Sequence, residues 1–327
     1  MSFSYQEWDT VELEKAGREQ NIFFGNKNST RVFVSVKGRH IGGGANTFAS
    51  NFSDWVKCRS EGLVLERKLA RADLAIVIAD KVNEKELSRA KSNGCFVIHR
   101  LDEHVEEDEE GGRRIKHQAI RRINQLADVT VYQSDFVFRN MHPYLSFPPN
   151  YEIILNGGDQ TKFFPAAEVG SYIGHVSWSV GGKKRLDLLY AFTKDNAAQK
   201  FLLVGNQERS NYQFGMLPNV RCVGPVRRRD LLKWLHKMKW IYFPSENDPC
   251  PNTVVEGILA GLPVCFNKDG GTRELVQGCG LPLERASEMD NGLEEMRSLA
   301  LERTDLFFER AAEKYLNLYR QYSRGRS

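Results

Sequence analysis

The stretch from Tyr242 to Val276 constrains the fold more than any other part of the chain. The apolar run Ile241 to Phe243 is stopped by Pro244, which suits the end of a buried strand. Asn252 is placed to cap a helix whose apolar residues Val254, Val255, Ile258 and Leu259 share one side. Gly261 stands where a glycine would close that helix, with Pro263 just beyond. Val264 to Phe266 forms a second buried strand, and Gly270-Gly271 opens onto another helix beginning near Thr272. Both helix N-termini then fall at the carboxyl ends of adjacent parallel strands, the edge where open α/β sheets bind ligands. Such a terminus offers free N–H groups and a positive dipole end, so a phosphate is the expected guest. Glu256 adds a fixed carboxylate that suits a ribose diol. Taken singly, Glu256 could equally complement the helix dipole, and the two glycines could be a plain turn.

The chain has 327 residues, enough for two domains of about 150 residues each. With 41% hydrophobic and 27% charged residues it reads as a soluble globular protein. No apolar run approaches the roughly 20 residues that span a bilayer. The N-terminus lacks a basic region followed by an apolar core, so no secretory signal is expected and the location is expected to be cytoplasmic. The scattered Cys58, Cys95, Cys222, Cys250, Cys265 and Cys279 fit reduced thiols and show no metal-binding spacing. A net charge of +4 does not imply a nucleic-acid partner.

No function is assigned to residues 1 to 29. Arg31 to Lys37 is a first strand, leading to the glycine turn Gly38 to Asn46, where backbone can approach a ligand closely. Its pattern is not Gly-x-Gly-x-x-Gly, which argues against a dinucleotide site. Leu74 to Asp80 and Cys95 to Ile98 are buried strands around a helix from Asn83 to Ser92. The second of them carries His99, Arg100 and Asp102 at its carboxyl end, although a surface salt bridge would look the same. The acids from Asp102 to Glu110 read as a solvated loop rather than an Asp-x-Asp metal site. Residues 113 to 127 read as a basic helix with Ile115, Ala119, Ile123 and Leu126 on its apolar side. It could lie against anionic lipid or be a surface helix of the first domain. Further strands are expected at Asp128 to Gln133, Tyr151 to Leu155, Tyr172 to Val176, Phe201 to Val204 and Val220 to Gly224. Lys183, Lys184 and Arg185 crowd a helix start, and an anionic ligand would remove the repulsion. Arg227 to Arg229 read as a basic turn before an amphipathic helix, and helices are expected over 287 to 301 and 305 to 322.

Asp248 and Glu256, seven residues apart, are followed by Gly-Leu-Pro-Val and Gly-Gly-x-x-Glu-Leu-Val. This resembles the Glu-x7-Glu region of the retaining GT-B glycosyltransferases of family GT4, with Asp as the first acid. The resemblance covers most of residues 31 to 327. It implies an α/β GT-B fold, two Rossmann-like domains facing a central cleft. Residues 1–165 would be the acceptor domain and 166–303 the nucleotide-sugar donor domain, with 304–327 returning as a helix onto the first. It implies transfer of a sugar from a UDP- or GDP-sugar, with retention, to a glycan, lipid-linked or small-molecule acceptor. No metal and no cofactor beyond the nucleotide sugar would be required.

Carried onto this chain, the resemblance makes Asp248, Lys184, His99 and Asp102 the catalytic set. Glu256 would hold the ribose, and Gly270 and Gly271 would meet the sugar and diphosphate. Gly43, Gly44 and Asn46 would face the diphosphate across the cleft, with Ser177, Lys183, Gly224, Val226, Asn252 and Thr253 completing the donor site. Arg100 and Arg273 would touch sugar or acceptor. Asn156-Gly157-Gly158-Asp159 with Phe163 is similar to the family's domain junction. The usual diphosphate arginine has no clear match; His175 stands near its place, and Lys183 or Arg185 could supply the charge. Two other readings are a GT-like binding subunit without catalysis, and a GT-B enzyme acting on DNA or as an epimerase.

Overall fold

The computed structural model of the chain describes residues 29–36, 43–59, 62–102, 112–145 and 150–323. Residues 1–28, most of the first glycine turn (37–42) and the acids at 103–110 lie outside the described residues, as do the side chains at 113–116. Two parallel sheets organise the rest. The first uses β1 (Thr30–Val34), β2 (Leu63–Leu65), β3 (Leu74–Ile78), β4 (Phe96–Leu101), β5 (Val129–Tyr132) and β6 (Tyr151–Ile153) in the order β2-β1-β3-β4-β5-β6. Its helices are α1 (Gly44–Arg59), α2 (Glu84–Ser92), α3 (Gly112–Asn124) and α4 (Asp135–Met141). The second sheet uses β7 (Tyr172–Ser177), β8 (Phe201–Gly205), β9 (Val220–Gly224), β10 (Met238–Phe243), β11 (Val264–Phe266) and β12 (Gly280–Pro282), ordered β12-β11-β10-β7-β8-β9. Its helices are α5 (Leu186–Asp195), α6 (Arg228–Leu235), α7 (Asn252–Leu259), α8 (Thr272–Val276) and α9 (Leu293–Leu301). Last comes α10 (Phe308–Ser323).

The strands read as apolar runs because helices cover both faces of each sheet. All five residues of β3, Leu-Ala-Ile-Val-Ile, are buried. On one face of the first sheet, Phe48 and Phe52 of α1 meet Phe308, Ala312 and Tyr315 of α10. The last helix therefore crosses back to the first domain. Phe163, by contrast, joins the core of the second domain with Val254, Val255 and Ile258 of α7. The two connections between domains run side by side, with Gly158 N donating to Leu306 O at 2.9 Å and Phe308 N to Gly158 O at 2.8 Å. Gly261, the glycine that closes α7, has φ +76°, a left-handed conformation that favours glycine.

Several boundaries differ from the sequence reading. β4 runs on to Leu101, so His99 and Arg100 are ladder residues paired with Thr130 and Val131 instead of sitting beyond the strand end. Asn252 is the first helical residue of α7 and not its cap; Pro251 holds the cap position without a side-chain bond. The helix expected over 287 to 301 is broken, with a 3-10 segment at Leu283–Glu288 before α9. Asp290 sits in the break, bound to Trp240 Nε1 at 2.8 Å and Lys239 Nζ at 2.7 Å.

The strand order of both sheets reverses in the middle, in the first between β1 and β3 and in the second between β7 and β10. Such switch points open a crevice at the carboxyl edge.

Candidate active site

A cavity of about 500 Å³ occupies this position in the second sheet and is roofed by the first domain. The end of β7 supplies Val176 to Ser179, the loop after β10 supplies Asp248 to Pro251, and α7 supplies Asn252, Thr253 and Glu256. Across the cleft stand Gly43 to Thr47 at the start of α1, with Asp102 and Gln133 beyond β4 and β5. A Cβ placed on Gly44 would lie 3.5 Å from Asn252 Nδ2, so the two domains meet closely here. The N–H groups of Asn252 and Thr253 open α7 and have no preceding turn to bond. Such free donors at a helix start can receive an anion.

Lys184 and Arg185, in the turn before α5, are compensated by this chain's own carboxylates. Lys184 Nζ donates to Asp248 Oδ2 at 2.9 Å. Arg185, in the left-handed conformation, donates to Asp187 at 2.8 Å and to Glu246 at 2.9 Å. An anionic guest is therefore not needed to relieve the repulsion expected from sequence. Of the three, Lys184 alone lines the cavity, while Lys183 is exposed on the turn. His175 does not replace the absent arginine either. It is fully buried, donates from Nδ1 to Tyr242 O at 3.0 Å, and burial pushes its pKa down to about 4, so it is neutral.

Gly270 and Gly271 lie outside the cavity lining. The Gly271 N–H is already spent on Asp248 O at 2.9 Å. A Cβ on Gly271 would fall 2.0 Å from Pro249 O and 2.8 Å from Ser134 Oγ. This glycine therefore seats the loop against the Asp248 loop and the first domain, where Ser134 Oγ donates to Pro249 O at 2.7 Å. Gly271→Ala is expected to destabilise by about 1–3 kcal/mol through overpacking against backbone. Thermal melts would show it, with nucleotide affinity of the folded fraction unchanged. Arg273 is exposed on α8, away from the lining, and Gly224, with φ +77°, turns the chain just before Val226, which does line it. Ser177 lines it too, with its Oγ donating to Ser179 O at 2.7 Å.

Of the three residues expected from β4, the structure brings only Asp102 to the cavity. His99 is fully buried: Nε2 donates to Ala79 O at 2.9 Å and Nδ1 accepts from Asn124 Nδ2 at 3.0 Å. Burial lowers its pKa to about 4, so it is a neutral core residue and not a catalytic group. Arg100 is equally buried, stacked 4.2 Å from the Phe48 ring centroid and bonded to Asn156 Oδ1 at 2.8 Å. It reaches Asp102 Oδ2 at 3.3 Å, so it braces the site from behind instead of touching sugar or acceptor.

Glu256 is 4% exposed, and the sequence reading left out its partner. Arg228, in the first turn of α6, donates from Nε to Glu256 Oε1 at 2.9 Å, with Nη2 at 2.7 Å from the same oxygen. Burial pushes the Glu256 pKa up, and Arg228 opposes that rise. One signal was present: an arginine in a first turn opposes the helix dipole and calls for a nearby carboxylate.

Among the described residues no three His, Cys, Asp or Glu side chains stand close enough to hold a metal, and no helix is long and apolar enough to cross a membrane. In α3, Ile120 and Ile123 are buried and Arg122 pairs with Glu84 at 2.8 Å.

Residues 170–296 match the family model described as glycosyl transferases group 1. A curated relative, the Vi polysaccharide biosynthesis protein VipC/TviE of Salmonella typhi, is 29% identical over 154 residues. That alignment covers 38% of this chain and only 25% of the relative. Among solved structures, the sucrose-phosphate synthase of Thermosynechococcus elongatus superposes with a TM-score of 0.71 at 15% identity, covering 90% of this chain and 98% of that one. Anabaena HepE in complex with UDP-glucose gives 0.68 at 14% identity, covering 89% and 99%. AviGT4, a glycosyltransferase involved in avilamycin A biosynthesis, gives 0.62 at 16%, covering 91% and 98%. The chain has the GT-B fold.

Proposed function

We propose that this protein is a retaining glycosyltransferase of the GT4 type, moving a sugar from a UDP- or GDP-sugar to a sugar-containing acceptor. The observation that carries the reading is the meeting of Lys184, Asp248, Glu256 and the open start of α7 in one interdomain cavity. The second domain would take the donor and the first the acceptor. The family match over the second domain and the UDP-glucose bound by the HepE neighbour support that division.

In this reading the diphosphate lies against Lys184 and the N–H groups of Asn252 and Thr253, with the ribose diol on Glu256. An ammonium has three donors, so Lys184 can keep Asp248 and still reach a phosphate. Asp248 would sit beside the sugar, where its charge favours an oxocarbenium-like centre. Asp102 faces this point from the acceptor side. A double displacement needs a carboxylate close under the anomeric carbon. The proposed path is instead a same-face displacement. The bond from the anomeric carbon to the phosphate oxygen breaks, the acceptor oxygen bonds on the same face, and its proton passes to the leaving phosphate. Positive charge fixed where the leaving charge grows would be the main catalytic contribution.

That charge comes from protein groups, so turnover is expected to survive EDTA. A requirement for added Mg²⁺ or Mn²⁺ would bring the acids at 102 to 110 back as ligands. A contact of the basic helix at 113 to 127 with the inner face of a membrane belongs to the same proposal. The decisive experiment is a panel of labelled UDP- and GDP-sugars, followed for transfer and hydrolysis. Transfer of one sugar to a glycan or lipid-linked acceptor supports the reading. Tight binding without turnover would identify a binding subunit, and interconversion of the donor an epimerase.

A further inference from the structure

Arg228 does more than neutralise Glu256. Its Nη1 donates to Asn51 Oδ1 at 3.1 Å, and Asn51 belongs to α1 of the first domain. Asn51 is 3% exposed, and its Nδ2 reaches Gly157 O, 3.5 Å away, on the connection between domains. One guanidinium thus joins the start of α6 and the middle of α7 to a first-domain helix, at the cavity wall. Phe163, from the same connection, lies 5.6 Å from the Arg228 guanidinium carbon and completes its seat.

Resting on the reading of Glu256 as the ribose group, we infer that Arg228 is a positioning residue for nucleotide binding. It fixes the Glu256 carboxylate, as an anion, in the ribose position and bolts it to the first domain through Asn51. A carboxylate this deep is costly as an anion unless paired. Once protonated it has a donor and fewer acceptor sites, and serves a diol poorly.

The other charges around Glu256 are committed elsewhere. Lys184 and Asp248 pair with each other, and Asp102 is held by Arg100. Arg297 of α9 bonds Gly261 O beyond the far end of α7. Glu274 of α8 accepts the N–H groups of Asp135 and Phe136. Lys239 of β10 pairs with Asp290, and Lys268, beyond β11, with Glu284. Among the described residues Arg228 is the cation bonded to Glu256.

The test is calorimetric titration of UDP and GDP into native protein, Arg228→Met and Arg228→Lys between about pH 6 and about pH 8.5. Each affinity is read as its ratio to native at the same pH, which cancels the nucleotide's own ionisation. Arg228→Met is expected to bind about tenfold or more weaker at the acid end and to recover most of the loss at the alkaline end, as Glu256 regains its charge. Arg228→Lys, which keeps a cation, is expected to stay within a few-fold of native with a flat ratio. Should Arg228→Met fail to fold, Arg228→Gln is read in the same way. A ratio near one throughout, or a loss equal at every pH, overturns the inference. Glu256→Gln separates the two layers. If it binds as the native protein does, the ribose assignment itself fails. If it binds weakly while Arg228→Met shows a flat ratio, only the role of Arg228 falls.

Discussion

Lys184→Met is expected to lower the rate of sugar transfer by about 10²- to 10³-fold and to weaken donor binding as well. The diphosphate gains charge as the glycosidic bond breaks, so a cation there acts on both the bound donor and the transition state. Asp248→Asn is expected to behave differently. It keeps the size of the side chain but removes the charge that would favour a cationic sugar centre. The amide oxygen can still accept from Lys184, which the carboxylate holds at 2.9 Å, but the ammonium loses its counter-charge, which strengthens its pull on phosphate. Affinity for the bare nucleoside diphosphate should therefore be unchanged or slightly improved, while kcat falls roughly 10²-fold. The rival role for Asp248 is structural, since its backbone is stitched to the glycine loop at Gly270 and Gly271. Single-turnover assays beside thermal melts separate the two. A variant that melts early yet transfers sugar at the normal rate when folded would remove Asp248 from the chemistry.

Glu256→Ala is expected to weaken nucleotide binding by roughly 10- to 150-fold, the worth of about 1.5–3 kcal/mol for hydrogen bonds to a charged group. It should also destabilise the fold, because Arg228 loses its counter-charge. A fully buried pair broken on one side costs about 3–5 kcal/mol, but the Arg228 side chain is 27% exposed, so about 1–3 kcal/mol is the expectation. Unchanged affinity for UDP and GDP in the folded variant would contradict the ribose assignment.

The second domain was the more legible half, for a physical reason. Lys184, Asp248, Asn252, Thr253 and Glu256 stand on short segments whose order follows local rules: strand, tight turn, helix start. Their meeting follows from parallel strands sharing one carboxyl edge. Arg228 was poorly legible: its place in a first turn calls for a carboxylate, but its partners lie 28 and 177 residues away and no local pattern names them. His99 and Arg100 were misplaced by an element boundary. An extension of β4 by three residues beyond Ile98 turned two expected site residues into core residues. The glycines at 270 and 271 carried a true signal of close approach, but the approaching partner is the Asp248 loop and the first domain. The acid run and most of the first glycine turn lie outside the described residues.

The most direct test of the interdomain cavity as a nucleotide-sugar site is a crystal structure of this protein with the nucleoside diphosphate it binds. The predicted result has the diphosphate within hydrogen-bond distance of Lys184 Nζ and of the Asn252 and Thr253 N–H groups, with both ribose hydroxyls on Glu256. A nucleotide bound elsewhere, or bound here with its ribose away from Glu256 and its phosphates away from Lys184, would contradict it.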